Sequence, residues 1–417
     1  MGLSTPLLGA VDTAVVGHLP DASFIGGVAV GALIFNTIYW ILGFLKVSTS
    51  GFAAQAVGSR KHTDLMMSLY RPMIIALVFG LFFIIVQHQI KEVSLWLINP
   101  GEQIEKHSAD YFTIRIWGAP FVLVNYALMG WLIGIGQVRH SLFLQIFMNL
   151  LNIGLNLYFV LYLEFGVQGV AAASLISEIS VALLGLVVIH KMGYKLLGSY
   201  SWKELISYEP LLKMLRVNRD LIIRTICLLS MFGLFTKKGA SLGEIPLAAN
   251  AIILQIQFIM AYFLGGIANT SSILVGRAIG EKNAPMYQNV IKISLIWSIM
   301  ASLFLVIFTF LGRDLVIGLF TSITEVYQYT FEYLSWIYLY PLVACIGLLL
   351  EGVFNGATEA KPIRNSLLFS FMIFLVGIWL FIPEWSNHGL WLSFILFTLG
   401  RSITLWLYLP QLKKQFV

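Results

Sequence analysis

Twelve runs of mostly apolar residues, each long enough to cross a bilayer, recur down this chain, and they decide its fold class. A spanning helix needs about 20 such residues. The runs fall at roughly 1–18, 25–57, 70–89, 112–137, 141–163, 168–190, 219–237, 247–275, 288–311, 331–357, 364–383 and 388–410. Hydrophobic residues make up 59% of the 417 positions and charged residues only 11%, against roughly 25% charged in soluble domains. Length alone would suggest about three soluble domains, but side chains this apolar cannot all be hidden in soluble cores. The chain is therefore read as an all-α, polytopic membrane protein. A disulfide scaffold, a nucleic-acid-binding domain and a disordered tail are excluded. The two cysteines, Cys227 and Cys345, lie inside apolar runs and build no disulfide, zinc or redox motif. Met1–Thr5 carries no basic stretch, so no cleaved signal peptide is expected.

The net charge of +6 has a simple source in loops rich in Lys and Arg on the cytoplasmic side. Most basic residues share one set of loops, and the opposite set holds Lys91, Lys106, Lys237, Lys238 and Arg313. Arg224 counts among the loop cations, and both termini are expected in the cytoplasm. The longest polar interruption, 191–218, reads as a cytoplasmic amphipathic linker. It joins an N-terminal lobe, 1–190, to a C-terminal lobe, 219–417. The lobes are related in sequence: at a constant offset of about 222 positions, Ala29 matches Ala251, Gly43 matches Gly265, Ser50 matches Ser272 and Gly58 matches Gly280. Tyr111 likewise matches Tyr333, Gly130 matches Gly352 and Gly134 matches Gly356. Six spans per half returns the chain to the same side, so the repeat is parallel, about an axis along the membrane normal.

Ionisable and amide groups in hydrocarbon are costly, which makes each a functional candidate. Asp12 lies in the first run, Asn152 and Asn156 one turn apart in the fifth, and Ser174 and Glu178 one turn apart in the sixth. At about 1.5 Å per residue, Asp12, Asn156 and Ser174 share a depth in the outer half of the N-terminal lobe. Low dielectric disfavours the charged form of a carboxylate, so Asp12 suits uptake and release of protons. Amide and hydroxyl neighbours can hydrogen-bond either protonation state. The same oxygens suit a desolvated Na⁺. A single acid in that layer, with Asn at 156, favours H⁺. The structural alternatives are a satisfied carboxylate at Asp12 and interhelical hydrogen bonds at Asn152, Asn156 and Ser174.

Glu178 has Lys46 as its expected ion-pair partner, and Glu351 has Arg401. Pro6 removes a backbone donor less than two turns before Asp12, and with Gly9 it makes the first helix bendable there. Phe35, Tyr39 and Trp40 in the second run are weak candidates to line a cavity for aromatic cations.

The segments PLLGAVDTAVVGHLPDASFIGGVAVG at 6–31 and GFLKVSTSGFAAQAVG at 43–58 resemble the multidrug and toxic compound extrusion (MATE) transporters, in their DinF-like branch. GVQGVAAASLISE at 166–178, VNRDLIIRT at 217–225 and EGVFNGATEAKPIRNS at 351–366 extend the resemblance over nearly the whole chain. It implies twelve helices in two lobes with a V-shaped cavity, and antiport of organic cations or other amphipathic toxins against H⁺ or Na⁺. Matched position by position, the family's first-span acid falls on Asp12 and its N-lobe polar network on Asn152, Asn156 and Ser174. Some relatives carry Asp where Asn156 stands and use it for Na⁺; position 351 is commonly Asp where this chain has Glu351. Relatives begin further upstream, so the first helix is expected to be shortened here.

The resulting expectation is a secondary active multidrug efflux antiporter, proton-coupled through Asp12, working by alternating access. The alternatives are Na⁺ coupling through the same cluster and a flippase for lipid-linked precursors. Such flippases need a strongly cationic cavity, and membrane cations here are few. No metal cluster and no nucleophile–base spacing points to an enzyme, and no glycine run resembles a channel filter. Small-molecule drugs or toxins and the lipid bilayer are the expected partners, with no nucleic acid and no cofactor beyond the coupling ion. The protein is expected to act as a monomer in a bacterial inner membrane.

Overall fold

The structure, a computed structural model, describes residues 22–194, 202–205 and 207–416. These residues are almost all helical, with no strand among them. In order, the helices are α1 (Ala22–Leu42), α2 (Phe44–Ser59), α3 (His62–Ile85), α4 (Gln87–Ile98), α5 (Glu102–Arg115), α6 (Ala119–Gly134), α7 (Val138–Asn156), α8 (Gly166–Lys191), α9 (Trp202–Leu205), α10 (Tyr208–Ser241), α11 (Glu244–Gly280), α12 (Ala284–Leu311), α13 (Arg313–Gly318), α14 (Thr324–Gly356) and α15 (Ala360–Tyr408). A short 3-10 turn, Ile116–Gly118, joins α5 to α6.

Nine helical stretches among the described residues are long and apolar enough to cross a membrane. The last, Ala360–Phe416, has 57 residues, far more than one crossing of a roughly 30 Å core requires. Ser386 breaks it, with φ at 50° inside α15 and Pro383 just before, leaving two segments that each reach across. The run expected at 219–237 is carried by α10, which begins earlier, at Tyr208. With the first run outside the described residues, the architecture is the twelve-helix one.

The chain divides into two compact units. Unit 1 takes in residues up to Ala53 and Lys61–Leu212; unit 2 takes in Ala54–Arg60 and Lys213–Val417. The sequence repeat reappears as backbone geometry. Six of the residues with positive φ fall in pairs at the same offset: Arg60 with Lys282, Gly136 with Thr358, and Glu164 with Ser386. The Ser386 break is thus the counterpart of the loop between α7 and α8.

The repeated glycines have a packing reason. In unit 1, a Cβ at Gly130 or Gly134 on α6 would collide with the carbonyl oxygen of Lys46 or Ser50 on α2. In unit 2, a Cβ at Gly352 or Gly356 on α14 would strike the carbonyl of Ala268 or Ser272 on α11. Each contact is the other moved along by the repeat offset. Lipid tails are as apolar as the side chains, so membrane helices associate through close van der Waals contact, and small residues four apart permit it. Large apolar side chains such as Ile85, Leu311, Trp379 and Leu407 point outward and are largely exposed, as lipid-facing positions require.

Candidate functional site

In unit 1 the polar positions gather where α7 meets α8. Asn156 Nδ2 donates to Asn152 Oδ1 at 3.0 Å, one turn back on α7. Asn152 Nδ2 donates in turn to Ser174 Oγ at 3.0 Å on α8. All three residues are buried. The i, i+4 spacing aligns the two amides, and the packing of α7 on α8 brings the hydroxyl to them. Directly after Asn156 the helix widens into a π turn, Leu157–Tyr162. Such turns are rare and often mark functional sites.

Glu178, one turn beyond Ser174, does not use the partner expected from sequence. Its carboxylate pairs with Arg115 at the end of α5, not with Lys46. Lys46 instead lends its backbone to the Gly130 crossing. The Arg115 guanidinium lies over the rings of Phe35, at 5.6 Å, and Tyr39, at 5.8 Å. Phe35 also stacks on Phe112, and Asn125 Nδ2 donates to the Glu178 backbone carbonyl at 2.9 Å. The aromatic trio is therefore split. Phe35 and Tyr39 are buried beneath a cation of the chain itself, while Trp40, the next residue round the helix, is 47% exposed. None of the three lines either cavity described here.

A cavity of about 570 Å³ opens at the end of unit 1 where α7 hands over to α8. Its walls include Phe24, His107, Asp110, Val160, Glu164 and Phe165. The rings of Phe24 and His107 lie 4.3 Å apart, tilted by 33°. Carboxylates and ring faces around one space suit an organic cation.

Unit 2 contains the expected Glu351–Arg401 pair and a residue that sequence reasoning misplaced. Arg224, taken for a loop cation, lies inside α10 and pairs with the other oxygen of Glu351. One turn earlier on α10, Asp220 accepts from Arg364 at 2.9 Å and from Arg219 at 3.0 Å. The spacing of Asp220 and Arg224, four apart within an apolar run, was the signal available. Further along α11, the buried Asn250 exchanges hydrogen bonds with Asn387, at 2.7 and 3.1 Å, and accepts one from Trp391.

Asp12, Pro6 and Gly9 lie outside the described residues. No group of three or more His, Cys, Asp or Glu side chains placed to hold a metal ion occurs among the described residues.

The MatE family model matches residues 1–158 and 221–380, one stretch in each repeat. The chain belongs to the MATE family. It is 34% identical over 410 residues to DNA damage-inducible protein F of Escherichia coli (strain K12), covering 97% of this chain and 88% of that protein. This places the MATE chain in the DinF-like branch. It is 19% identical over 430 residues to the probable multidrug resistance protein NorM of Bacillus subtilis (strain 168), covering 100% and 93%. A crystal structure of a MATE protein in the bent conformation superposes with TM-score 0.90 at 19% identity, covering 99% of this chain and 93% of that one. An outward-facing multidrug resistance MATE transporter of the MOP superfamily gives 0.86 at 19%, covering 99% and 94%. These neighbours share the fold, and the MATE chain is a multi-pass membrane protein of a transporter family.

Proposed function

We propose that this MATE protein exports organic cations or amphipathic toxins in exchange for H⁺, with Asp12 as the coupling carboxylate. The observation that carries the reading is the state of Glu178. It is the one buried carboxylate among the described residues of unit 1, and Arg115 already neutralises it. A carboxylate held by a guanidinium is a poor proton carrier, so coupling in this lobe falls to the acid of the first span. The Asn152–Asn156–Ser174 ladder offers neutral donors and acceptors of the kind that suit either protonation state of a carboxylate. The cavity beside Asp110 and Glu164 supplies a cation-compatible entrance.

In the cycle, Asp12 takes a proton from outside, which weakens the hold on a cationic substrate and releases it outward. The protonated carrier then turns inward and loses its proton. The basic loops support both termini in the cytoplasm, and the kinship with an Escherichia coli protein supports a bacterial inner membrane. The test is ethidium transport in proteoliposomes under an imposed pH gradient, with and without Na⁺. Gradient-driven movement without Na⁺, abolished in Asp12→Asn, is the expected result. Transport that persists in Asp12→Asn overturns the role of Asp12, and a strict Na⁺ requirement replaces H⁺ as the coupling ion.

A further inference from the structure

Unit 2 buries more positive charge than its acids balance. Glu351 spends one carboxylate oxygen on Arg224 and the other on Arg401. The adjacent carboxylate, Asp220, is occupied by Arg364 and Arg219. The side chains of Arg224 (23% exposed), Arg364 (19%) and Arg401 (10%) share these two carboxylates, so three guanidinium groups face two acids. A buried charge without a counter-charge is strongly unfavourable.

Of the three, Arg401 is the most deeply buried. Arg401 is 8% exposed, and its Nε–H is buried with no acceptor. The same side chain lines a cavity of about 40 Å³ together with Gln257, Tyr340 and Thr398. A water needs roughly 10–15 Å³ in that measure, so the space has room for a few waters or one small ion. Phe232, Phe394 and Phe397 are among its apolar walls. Gln257 is 4% exposed, and its Oε1 is also without a partner. The two ends of an amide exchange by a simple flip. The flipped amide would aim its N–H₂ into the cavity while its oxygen accepts from the Tyr340 hydroxyl.

We propose that this cavity in unit 2 binds a small monovalent anion of the halide class, held by Arg401 and Gln257. Water would satisfy the orphaned N–H but not the charge. A cation is excluded by the same surplus, so the C-terminal half has a chemistry opposite to the Asp12 layer. The site is independent of the coupling ion and of the exported substrate.

The test uses detergent-purified protein melted in sodium chloride against sodium gluconate at constant ionic strength. A saturable rise in melting temperature with chloride is expected, with bromide acting in the same way. Crystals grown in bromide should show an anomalous peak beside Arg401. Gln257→Met preserves volume and removes one donor, so half-saturation should need about tenfold more chloride, the loss of one hydrogen bond to a charged group. Arg401→Lys should abolish the saturable response. Identical melting in chloride and gluconate overturns the proposal. So does a chloride response that is unchanged in Gln257→Met, or a bromide peak elsewhere with none in this cavity. The bromide and wild-type arms decide the matter even if Arg401→Lys does not fold.

Discussion

Replacing Arg115 by Met will strand the Glu178 carboxylate in the interior of unit 1, and the size and pH dependence of the damage follow from the geometry. Glu178 is 7% exposed, and its ionic partner is Arg115. Without that partner the side chain must be neutral to stay buried. A glutamate in water titrates near about 4.3, and each pH unit is worth about 1.36 kcal/mol, so neutralising it at pH 7 costs about 3.7 kcal/mol. Two ring contacts to the guanidinium disappear as well, worth about 1–2 kcal/mol when desolvated. Arg115→Met should therefore lose about 5 kcal/mol at pH 7 relative to wild type at the same pH. At pH 5 the protonation cost falls to about 1 kcal/mol, so the deficit should shrink to between about 2 and 3 kcal/mol. The sign follows from linkage: the folded variant binds a proton that its unfolded state has released, so its stability falls as pH rises. In Arg115→Met/Glu178→Gln no charge is stranded. Only the ring contacts are missing, so a deficit of about 1–2 kcal/mol that does not vary with pH is expected. Unfolding by SDS titration in mixed micelles at pH 7 and pH 5 measures all three. A single variant as stable as wild type at pH 7, or a deficit unchanged at pH 5, refutes the assignment of Arg115 as the charge partner.

Further outcomes follow from the other contacts. Gly356→Val drives a side chain into the Ser272 carbonyl and should abolish folded yield in size-exclusion chromatography, whereas Gly233→Ala, with nothing within 4 Å, should leave yield unchanged. Ser174→Ala removes one hydrogen bond from the ladder, so SDS unfolding should register less than about 1.7 kcal/mol; a transport rate reduced about tenfold or more at unchanged stability would mark the ladder as part of the transport path, and an unchanged rate as structural. Cys227 and Cys345 are buried, so maleimide labelling of native protein in micelles should be slow and become complete only after denaturation.

What could be read from residues alone was whatever one helix expresses by itself. Apolar runs set the number of crossings because the bilayer leaves no water to satisfy an exposed backbone. The constant offset between Gly130 and Gly352, or Gly134 and Gly356, marked the repeat because each glycine admits the same backbone contact in its own unit. The ladder residues were legible as a shared face, Asn152 and Asn156 one turn apart, with Ser174 at a matching depth. The partner of each buried charge was not legible. Lys46 and Arg115 are both cations near the depth of Glu178, and only the packing of α5 on α8 selects Arg115. Arg224 read as a loop cation because its charge interrupts the start of an apolar run, yet α10 begins at Tyr208 and carries it into the interior. Helix periodicity fixes which side chains share a face, but it carries no information about which face meets which neighbour. That choice is made by close backbone contact and charge pairing across helices, and so it belongs to the tertiary structure alone.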